Sequence, residues 1–240
     1  MSAQIGTNYL IEIIAESLLQ CVVTSLTTPP PVTPPGGPFT NFDPSTAANV
    51  TLSGSNLVAT NTGTTSTDQG AMVVSSAGKT IGKYYFEFAL THFAGGSGVG
   101  VGIGTTSSAF SGMGTSSAHG DMCCAVSRNL WTDLGGNTGY NVGRGLVSGD
   151  VIGVAADITN SRVWFRLNSG LWENMVGHDP TQPDGLHGGI PIPAGTKVPF
   201  VTFGSGLFGG GVANNVITAN IGGSSFRGVV PTGYTAGWPQ

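Results

Sequence analysis

From residue 39 onward, short apolar segments alternate with polar positions, and clusters of Gly, Ser, Asn and Thr separate one segment from the next. A period of two places successive side chains on opposite faces of a strand, and no convincing helical period of 3.6 occurs in this region. The pattern predicts strands at residues 50–52, 57–60, 70–74, 83–91, 99–104, 122–126, 151–157, 162–167, 198–203 and 217–221. So many short strands predict an all-β fold in which two antiparallel sheets stack as a sandwich.

Two of these segments show the alternation most clearly and should be central strands. In the segment 83–91, Tyr85 and Glu87 alternate with Tyr84, Phe86 and Phe88, and the segment 162–167 alternates in the same way. One set should point into the core and the next away from it. The Gly-rich stretches 105–120 and 171–197 have too little apolar period to be core, so we expect surface loops there, where binding residues usually lie.

Residues 7–23 have the pattern of an amphipathic helix. Asn8 can cap it, and Glu12, Glu16 and Gln20 repeat every four positions as a narrow polar stripe. The remaining positions are apolar and cover well over half of the circumference: Leu10, Ile11, Ile13, Ile14, Leu18, Leu19 and Val22. Such a helix needs a partner on more than one side, so these residues should dock into an assembly or oligomerise. The alternative is that the helix packs on its own sandwich.

The segment 27–38, TTPPPVTPPGGP, predicts a semi-rigid polyproline spacer. The chain therefore divides into a helix at 1–26, a proline-rich linker at 27–38 and a head at 39–240. The apolar run 10–23 is interrupted by Glu12 and Glu16 and is shorter than the roughly 20 residues that a bilayer requires, so no membrane span is expected. No Lys or Arg precedes Lys79, which argues against a classical export signal.

The composition changes this picture in one respect. Only 8% of the residues are charged, while Gly accounts for 40 residues and the net charge is −4. The polar surface is therefore made mainly of hydroxyls and amides, which suits proteins that pack against copies of themselves or are exposed outside a cell. The eight cations are scattered singly. Nucleic-acid binding, which needs a stripe of cations, is not expected.

The chain offers little catalytic or metal chemistry. Asp121 and Asp133 are loop carboxylates without a matched partner, no G-x-S-x-G elbow occurs, and the four histidines include no pair at metal-ligand spacing. We expect no catalytic residues, no metal and no cofactor. The three cysteines cannot all pair within the chain. Cys123 and Cys124 read as small buried side chains, with an intermolecular disulfide through Cys21 as the alternative.

Aromatic and hydrogen-bonding residues occur together in segments that the pattern predicts to be exposed turns. A ring stacks on the apolar face of a sugar, and amides and carboxylates bond the sugar hydroxyls. We therefore expect ligand binding at Trp131, Asp133, Asn137, Tyr140, Asn141, Arg144, Trp172 and Asn174. The alternative is that Trp131 and Trp172 close the rim of the core. Trp164, on a strand, should pack.

Several motifs occur in a fixed order along the head: GKYYFE at 82–87, GVGVGIG at 98–104, GDVIGVAADI at 149–158, RVWFRLNSG at 162–170, PFVTFG at 199–204 and TANIG at 218–222. This series resembles a SPRY domain over about residues 39–238. The resemblance implies a concanavalin-like sandwich of two curved antiparallel sheets. It also implies a non-catalytic recognition module that binds through loops at one edge.

The Gly- and Ser-rich character, the few charges and the preceding helix look like the SPRY-like modules of bacteriophage structural proteins. The expected function is therefore a virion structural protein, either a capsid decoration protein or a tail or fibre component. Its helix would contact other virion proteins or copies of itself, and its head would bind a host-surface glycan. Two alternatives stay open: a free bacterial carbohydrate-binding or adhesion module, and a SPRY adaptor that binds a short peptide.

Overall fold

The structure, a computed structural model, describes residues 38–64, 69–72, 77–95, 99–105, 121–124, 129–132, 136–204 and 212–240. Within these residues the chain forms β1 (Val50–Ser53), β2 (Val58–Asn61), β3 (Gln69–Met72), β4 (Lys83–His92), β5 (Gly100–Thr105), β6 (Asp121–Cys124), β7 (Asn129–Thr132), β8 (Gly136–Asn141), β9 (Val151–Asp157), β10 (Arg162–Leu167), β11 (Ile190–Pro191), β12 (Lys197–Gly204), β13 (Val216–Asn220) and β14 (Thr235–Ala236). Helical residues in this part of the chain are limited to short 3₁₀ turns such as Pro44–Thr46.

The strands form two sheets. The eight-stranded sheet has the order β1-β2-β13-β4-β9-β10-β11, and β14 adds to β4 in parallel. The six-stranded sheet has the order β3-β12-β5-β6-β7-β8. All other pairs are antiparallel, so the predicted two-sheet sandwich is confirmed. β8 and β11 each lie at the end of their sheet.

The alternation predicted for the two central strands is confirmed. Phe86 and Phe88 of β4, with Val163 and Phe165 of β10, belong to the main core between the sheets. The intervening side chains point to the other face of the eight-stranded sheet and are also buried: Tyr85, Glu87, Trp164 and Arg166. That outer face is therefore covered, although a sandwich sheet ordinarily faces water on its outer side.

The expectation that residues 171–197 lie wholly outside the core is wrong. Ile190 and Ile192 belong to the main core, and Glu173 is buried at 1% exposure. Part of this segment covers the outer face of β10 and its later part forms β11 at the edge of the sheet, so it buries side chains without any regular period, and periodicity alone did not reveal it. Most of the other predicted loop, residues 106–120, lies outside the described residues.

Each of the ten predicted strands overlaps an observed one, and four strands are additional: β7, β8, β11 and β14. β7 and β8 have the sequences NLWT and GNTGYN, whose polar residues do not alternate with apolar ones. β11 and β14 are two residues long, which is too short for a period.

Several predictions concern residues that the structure does not describe. They are the helix at 7–23 with Cys21, the linker up to residue 37, and Asp133. The side chains of Cys123 and Cys124 are also outside the described part. Among the described residues, no helix is long and apolar enough to span a bilayer.

Candidate functional site

Two segments cover the outer face of the eight-stranded sheet. The first runs from 170 to 189, and the indole Nε1 of Trp164 donates to the carbonyl of His187 (3.1 Å) beneath it. The second is the C-terminal segment 222–238, where the hydroxyl of Tyr234 donates to the carbonyl of Pro180 (3.0 Å). Both segments are therefore bonded to the sheet or to each other, although neither has regular secondary structure over its length.

Glu87 fixes the C-terminal segment to the sheet. Its side chain is buried, and Oε1 accepts hydrogen bonds from the hydroxyl of Tyr85 (2.6 Å) and the amide of Gly228 (2.7 Å). Oε2 accepts from the amide of Arg227 (2.8 Å). Burial also raises the pKa of the Tyr85 hydroxyl, which keeps that hydroxyl protonated as a donor. A buried carboxylate with three donors holds the backbone at 227–228 in one position.

Arg166 connects the two covering segments. Its Nη2 donates to the carbonyl of Val229 (2.5 Å) and to the hydroxyl of Tyr85 (3.0 Å). The guanidinium also lies over the indole of Trp172, 4.3 Å from the ring centroid. A cation placed over an indole in a partly buried site is attracted by the ring quadrupole. Trp172 and Val229 are thus both in contact with one arginine.

Asp150 holds a third segment, the turn that precedes β9. Arg144 binds its carboxylate through both terminal nitrogens, at 2.6 and 2.7 Å, and the amide of Val147 (2.9 Å) and Asn168 Nδ2 (3.1 Å) donate to the same group. Burial acts to raise the pKa of Asp150, but these hydrogen bonds outweigh it and hold that pKa below its usual value. The turn is therefore fixed to the end of β10 through Asn168.

Exposed apolar side chains occur on all three of these segments. Apart from Leu186 near the end of the first segment (86% exposed), they are Val147 (52%), Leu171 (53%), Met175 (47%), Val176 (86%) and Val229 (50%). The turn at 147–150 is also joined to the C-terminal segment, because Arg227 Nη1 donates to the carbonyl of Gly149 (3.0 Å). We call these five residues the loop surface. Large apolar side chains exposed on loops that hydrogen bonds hold to one another are typical of interaction sites.

Five of the sequence-predicted ligand residues lie beside the loop surface. The ring of Tyr140 meets that of His178 edge to face at 5.2 Å, and the side chain of Asn174 lies against Gly143. Arg144 binds Asp150. Asn141 precedes this turn, and its Oδ1 accepts from the amide of Gly143 (2.8 Å). Trp172 lies under Arg166 in the same region.

The prediction that the ligand residues lie in exposed turns is wrong for those that belong to the hairpin formed by β7 and β8. Trp131 and Asn137 are cross-strand neighbours in that hairpin, and Tyr140 and Asn141 lie at the end of β8. The hairpin was missed because its polar residues mask the strand pattern. Asn137 is four residues from Asn141, about 13 Å along a strand. Trp131 packs against the main core, which agrees with its alternative role at the rim.

The five loop-surface residues were not found by sequence reasoning. The only signal was the presence of aliphatic residues in Gly-rich, otherwise polar segments, as in LWENMV at 171–176. A single exposed apolar residue is ordinary, so the pattern becomes informative only when hydrogen bonds bring the segments together.

The described carboxylates of the sheets serve structural roles. Asp157 accepts from the amide and side chain of Asn160 (2.9 and 2.8 Å) and pairs with Lys83 (3.0 Å). Asp150 and Asp157 thus both act in turns and as hydrogen-bond acceptors. Within the described part of the chain, no group of three or more His, Cys, Asp or Glu residues could hold a metal ion.

Glu173 is the most unusual residue near the loop surface. It lies inside the turn Trp172–Asn174, where Glu173 (φ 52°) and Asn174 (φ 56°) both adopt the left-handed conformation. Its Oε2 bonds to Nδ1 of His178 and accepts from the amide of Gly189 (3.0 Å). Its Oε1 is buried without a partner. A non-glycine residue with positive φ is costly and is concentrated at functional positions.

Comparison with known proteins supports the fold. No family model matches the sequence, and no curated protein matches it. Among solved structures, the chain is similar to the SPRY domain of human HERC1, with a TM-score of 0.56 and 16% sequence identity over 75% of this chain and 97% of that chain. The head therefore has a SPRY-like fold, as the sequence motifs implied.

Proposed function

We propose that this chain is a non-catalytic structural protein of a bacteriophage particle, in which the SPRY-like head recognises a partner through the loop surface. The observation that supports recognition is the set of five exposed apolar side chains on three hydrogen-bonded segments. A fixed apolar surface loses little conformational entropy when it binds, because its loops are already ordered.

The non-catalytic part of the proposal is supported by the use of the carboxylates. Catalytic acids and bases must reach a substrate, and glycoside hydrolysis needs two carboxylates on opposite sides of a sugar. Glu87, Asp150 and Asp157 are instead buried and saturated by donors from the protein itself. The surface near them offers aliphatic groups and amides.

The virion part of the proposal is supported by the sequence. The pattern of segment 7–23 predicts a helix with an apolar surface that needs a partner, and the proline-rich segment 27–38 predicts a stiff spacer. Such an arrangement suits a head that is held away from an assembly. The low charge and the abundance of Gly, Ser and Thr fit a protein in dense contact with neighbouring subunits.

For the ligand of the head, the aliphatic loop surface favours a protein over the host-surface glycan that the sequence suggested. Glycan recognition uses exposed aromatic faces. Here the ring of Trp172 lies under the guanidinium of Arg166, the ring of Tyr140 meets His178, and Trp131 packs on the core. Leu, Met and Val side chains instead match an apolar protein surface.

Electron microscopy of intact phage particles labelled with an antibody against residues 39–240 tests the virion role. Label at a fixed place on the particle is expected, and its place separates capsid decoration from a tail component. Absence of label, with the protein found free or on bacterial cells, would reject the virion role and favour a free adhesion module. A glycan array distinguishes the ligands, because the protein-binding head should show no selective sugar binding.

A further inference from the structure

The turn that carries part of the loop surface depends on the buried side chain of Glu173. Leu171, Met175 and Val176 flank the turn, whose carbonyls at Leu171 and Trp172 accept from the amides of Asn174 (3.2 Å) and Met175 (3.0 Å). Glu173 bonds this turn to Gly189, sixteen residues later, and to His178. It is therefore the side chain that ties both ends of the segment 170–189 together.

The backbone at Gly188 and Gly189 packs closely against the side chains around Glu173. A Cβ at Gly188 would lie 2.5 Å from Glu173 Oε2 and would also overlap His178, and a Cβ at Gly189 would overlap the indole of Trp164. Both glycines have positive φ, at 75° and 84°. The carboxyl group is consequently held in a buried position by backbone that favours glycine.

Ionisation of Glu173 is costly in this position. One oxygen has two bonding partners and the other has none, so a negative charge on the group would be incompletely solvated. Burial accordingly raises the pKa of Glu173, although the bonds from Gly189 and His178 and the charge of Arg162 act in the opposite direction.

The charged and titratable groups around Glu173 come from three elements. His178 lies in the same segment, Arg162 comes from β10, and Tyr140 of β8 contacts the ring of His178. Arg162 is itself engaged, since its Nη1 donates to the carbonyl of Gly189 (2.8 Å). The charge of Arg162 is therefore bonded to the same segment that the carboxyl group of Glu173 stabilises.

We propose that Glu173 is a pH-dependent latch, which holds the segment 170–189, and with it Leu171, Met175 and Val176, while its buried carboxyl group keeps its proton. This regulatory role rests on the proposed function of the loop surface. Loss of the proton leaves an uncompensated buried charge, so the segment opens. The two sheets should stay folded when the latch opens, because their core lies on the other side of β10.

The direction of the pH effect follows from the raised pKa. A carboxyl group with a pKa that is higher in the folded state contributes stability that is fully present below its unfolded pKa of 4.5 and is lost as the pH rises through its folded pKa. The segment should thus be tight in acid and looser toward neutral or basic pH. This is opposite to the usual behaviour of a paired carboxylate such as Asp150.

Amide hydrogen exchange measured between about pH 5 and about pH 9 tests the latch on the full chain. The protection factor of the Gly189 amide should fall with rising pH, by about tenfold for each unit by which the folded pKa exceeds the unfolded one. In Glu173→Gln, which keeps an acceptor for Gly189 but cannot titrate, the protection factor should be independent of pH. Asp184→Asn removes the other, exposed acid–histidine pair and should leave the wild-type profile unchanged.

A wild-type protection factor that does not change with pH, or a Glu173→Gln protein that keeps the wild-type profile, would overturn the latch. If Glu173→Gln does not fold, the side-chain carboxyl carbon of Glu173 is titrated by NMR in the unaltered protein. A midpoint above 4.5 supports the latch, and one at or below it overturns the proposal. No ligand is involved, so a failed latch leaves binding at the loop surface untouched. Lost binding with an intact pH profile would instead reject the proposed function.

Discussion

Replacing Glu87 by Gln should destabilise the head, because three donors depend on its carboxylate. Oε1 accepts hydrogen bonds from the Tyr85 hydroxyl and the Gly228 amide, and Oε2 accepts one from the Arg227 amide. Glutamine keeps one oxygen and therefore the first two bonds, in weaker neutral form. It turns the second oxygen into an amide group that points its hydrogens at the Arg227 N–H, so a buried donor loses its acceptor.

A hydrogen bond to a charged group contributes about 1.5–3 kcal/mol, and a buried unsatisfied donor costs about 1–3 kcal/mol. Loss of the Arg227 bond and weakening of the other two should together lower the free energy of unfolding by about 3 kcal/mol. That is a large share of the roughly 5–15 kcal/mol by which a domain is stable. Because the sheets stay intact, the surface exposed on unfolding, and hence the m value, should not change.

Urea unfolding followed by tryptophan fluorescence measures this effect. Asp184→Asn is the matched control, since its carboxylate also caps backbone amides but at the surface, and its midpoint should stay unchanged. A midpoint for Glu87→Gln equal to that of the unaltered protein would refute the reasoning that Glu87 fixes the C-terminal segment. A changed m value would point to partial unfolding before the main transition.

Three other perturbations give separate tests. Val176→Asp should weaken partner binding by tenfold or more, about 1.4 kcal/mol, without changing the free energy of unfolding. Leu186 is equally exposed at 86% but lies outside the loop surface, so Leu186→Asp should leave binding unchanged. Equal losses of affinity from the two variants would argue against a localised site. The pKa of Asp150 is lowered, so its stabilising contribution is present above 3.8 and lost as the pH falls through its folded pKa. Asp150→Asn should therefore flatten the acid limb of the stability profile, and an unaltered acid limb would contradict the assignment. Gly189→Ala should lower the free energy of unfolding by about 2 kcal/mol or more, because the added Cβ would overlap Trp164 and the backbone has a φ of 84°. Unfolding monitored by circular dichroism measures this loss, and an unchanged midpoint would contradict it.

The sandwich was predictable because its central strands follow a strict period. In β4 and β10, each apolar or aromatic side chain on one face is followed by one on the other, and the structure places the two sets on opposite sides of the sheet. The hairpin of β7 and β8 has no such period. It lies at the edge of its sheet, where polar residues such as Asn137 face solvent.

The candidate site was predictable only in part. Tyr140, Arg144 and Asn174 were expected to bind a ligand. Asn174 lies against Gly143, which precedes Arg144, and Tyr140 contacts His178 of the segment that carries Asn174. The role of Glu173 could not be foreseen. Its burial depends on a left-handed backbone and on contacts with His178 and Gly189, neither of which has a local sequence signature.

The most direct test of the account is site-specific photocrosslinking from the loop surface of the full-length protein. The photoreactive residue p-benzoylphenylalanine replaces Val176 in one variant and Leu186 in another, and each is irradiated in the presence of assembled particles and host cells. The account predicts a discrete protein adduct from position 176 and none from position 186. Adducts of equal yield from both positions, or none from position 176, would contradict recognition through the loop surface.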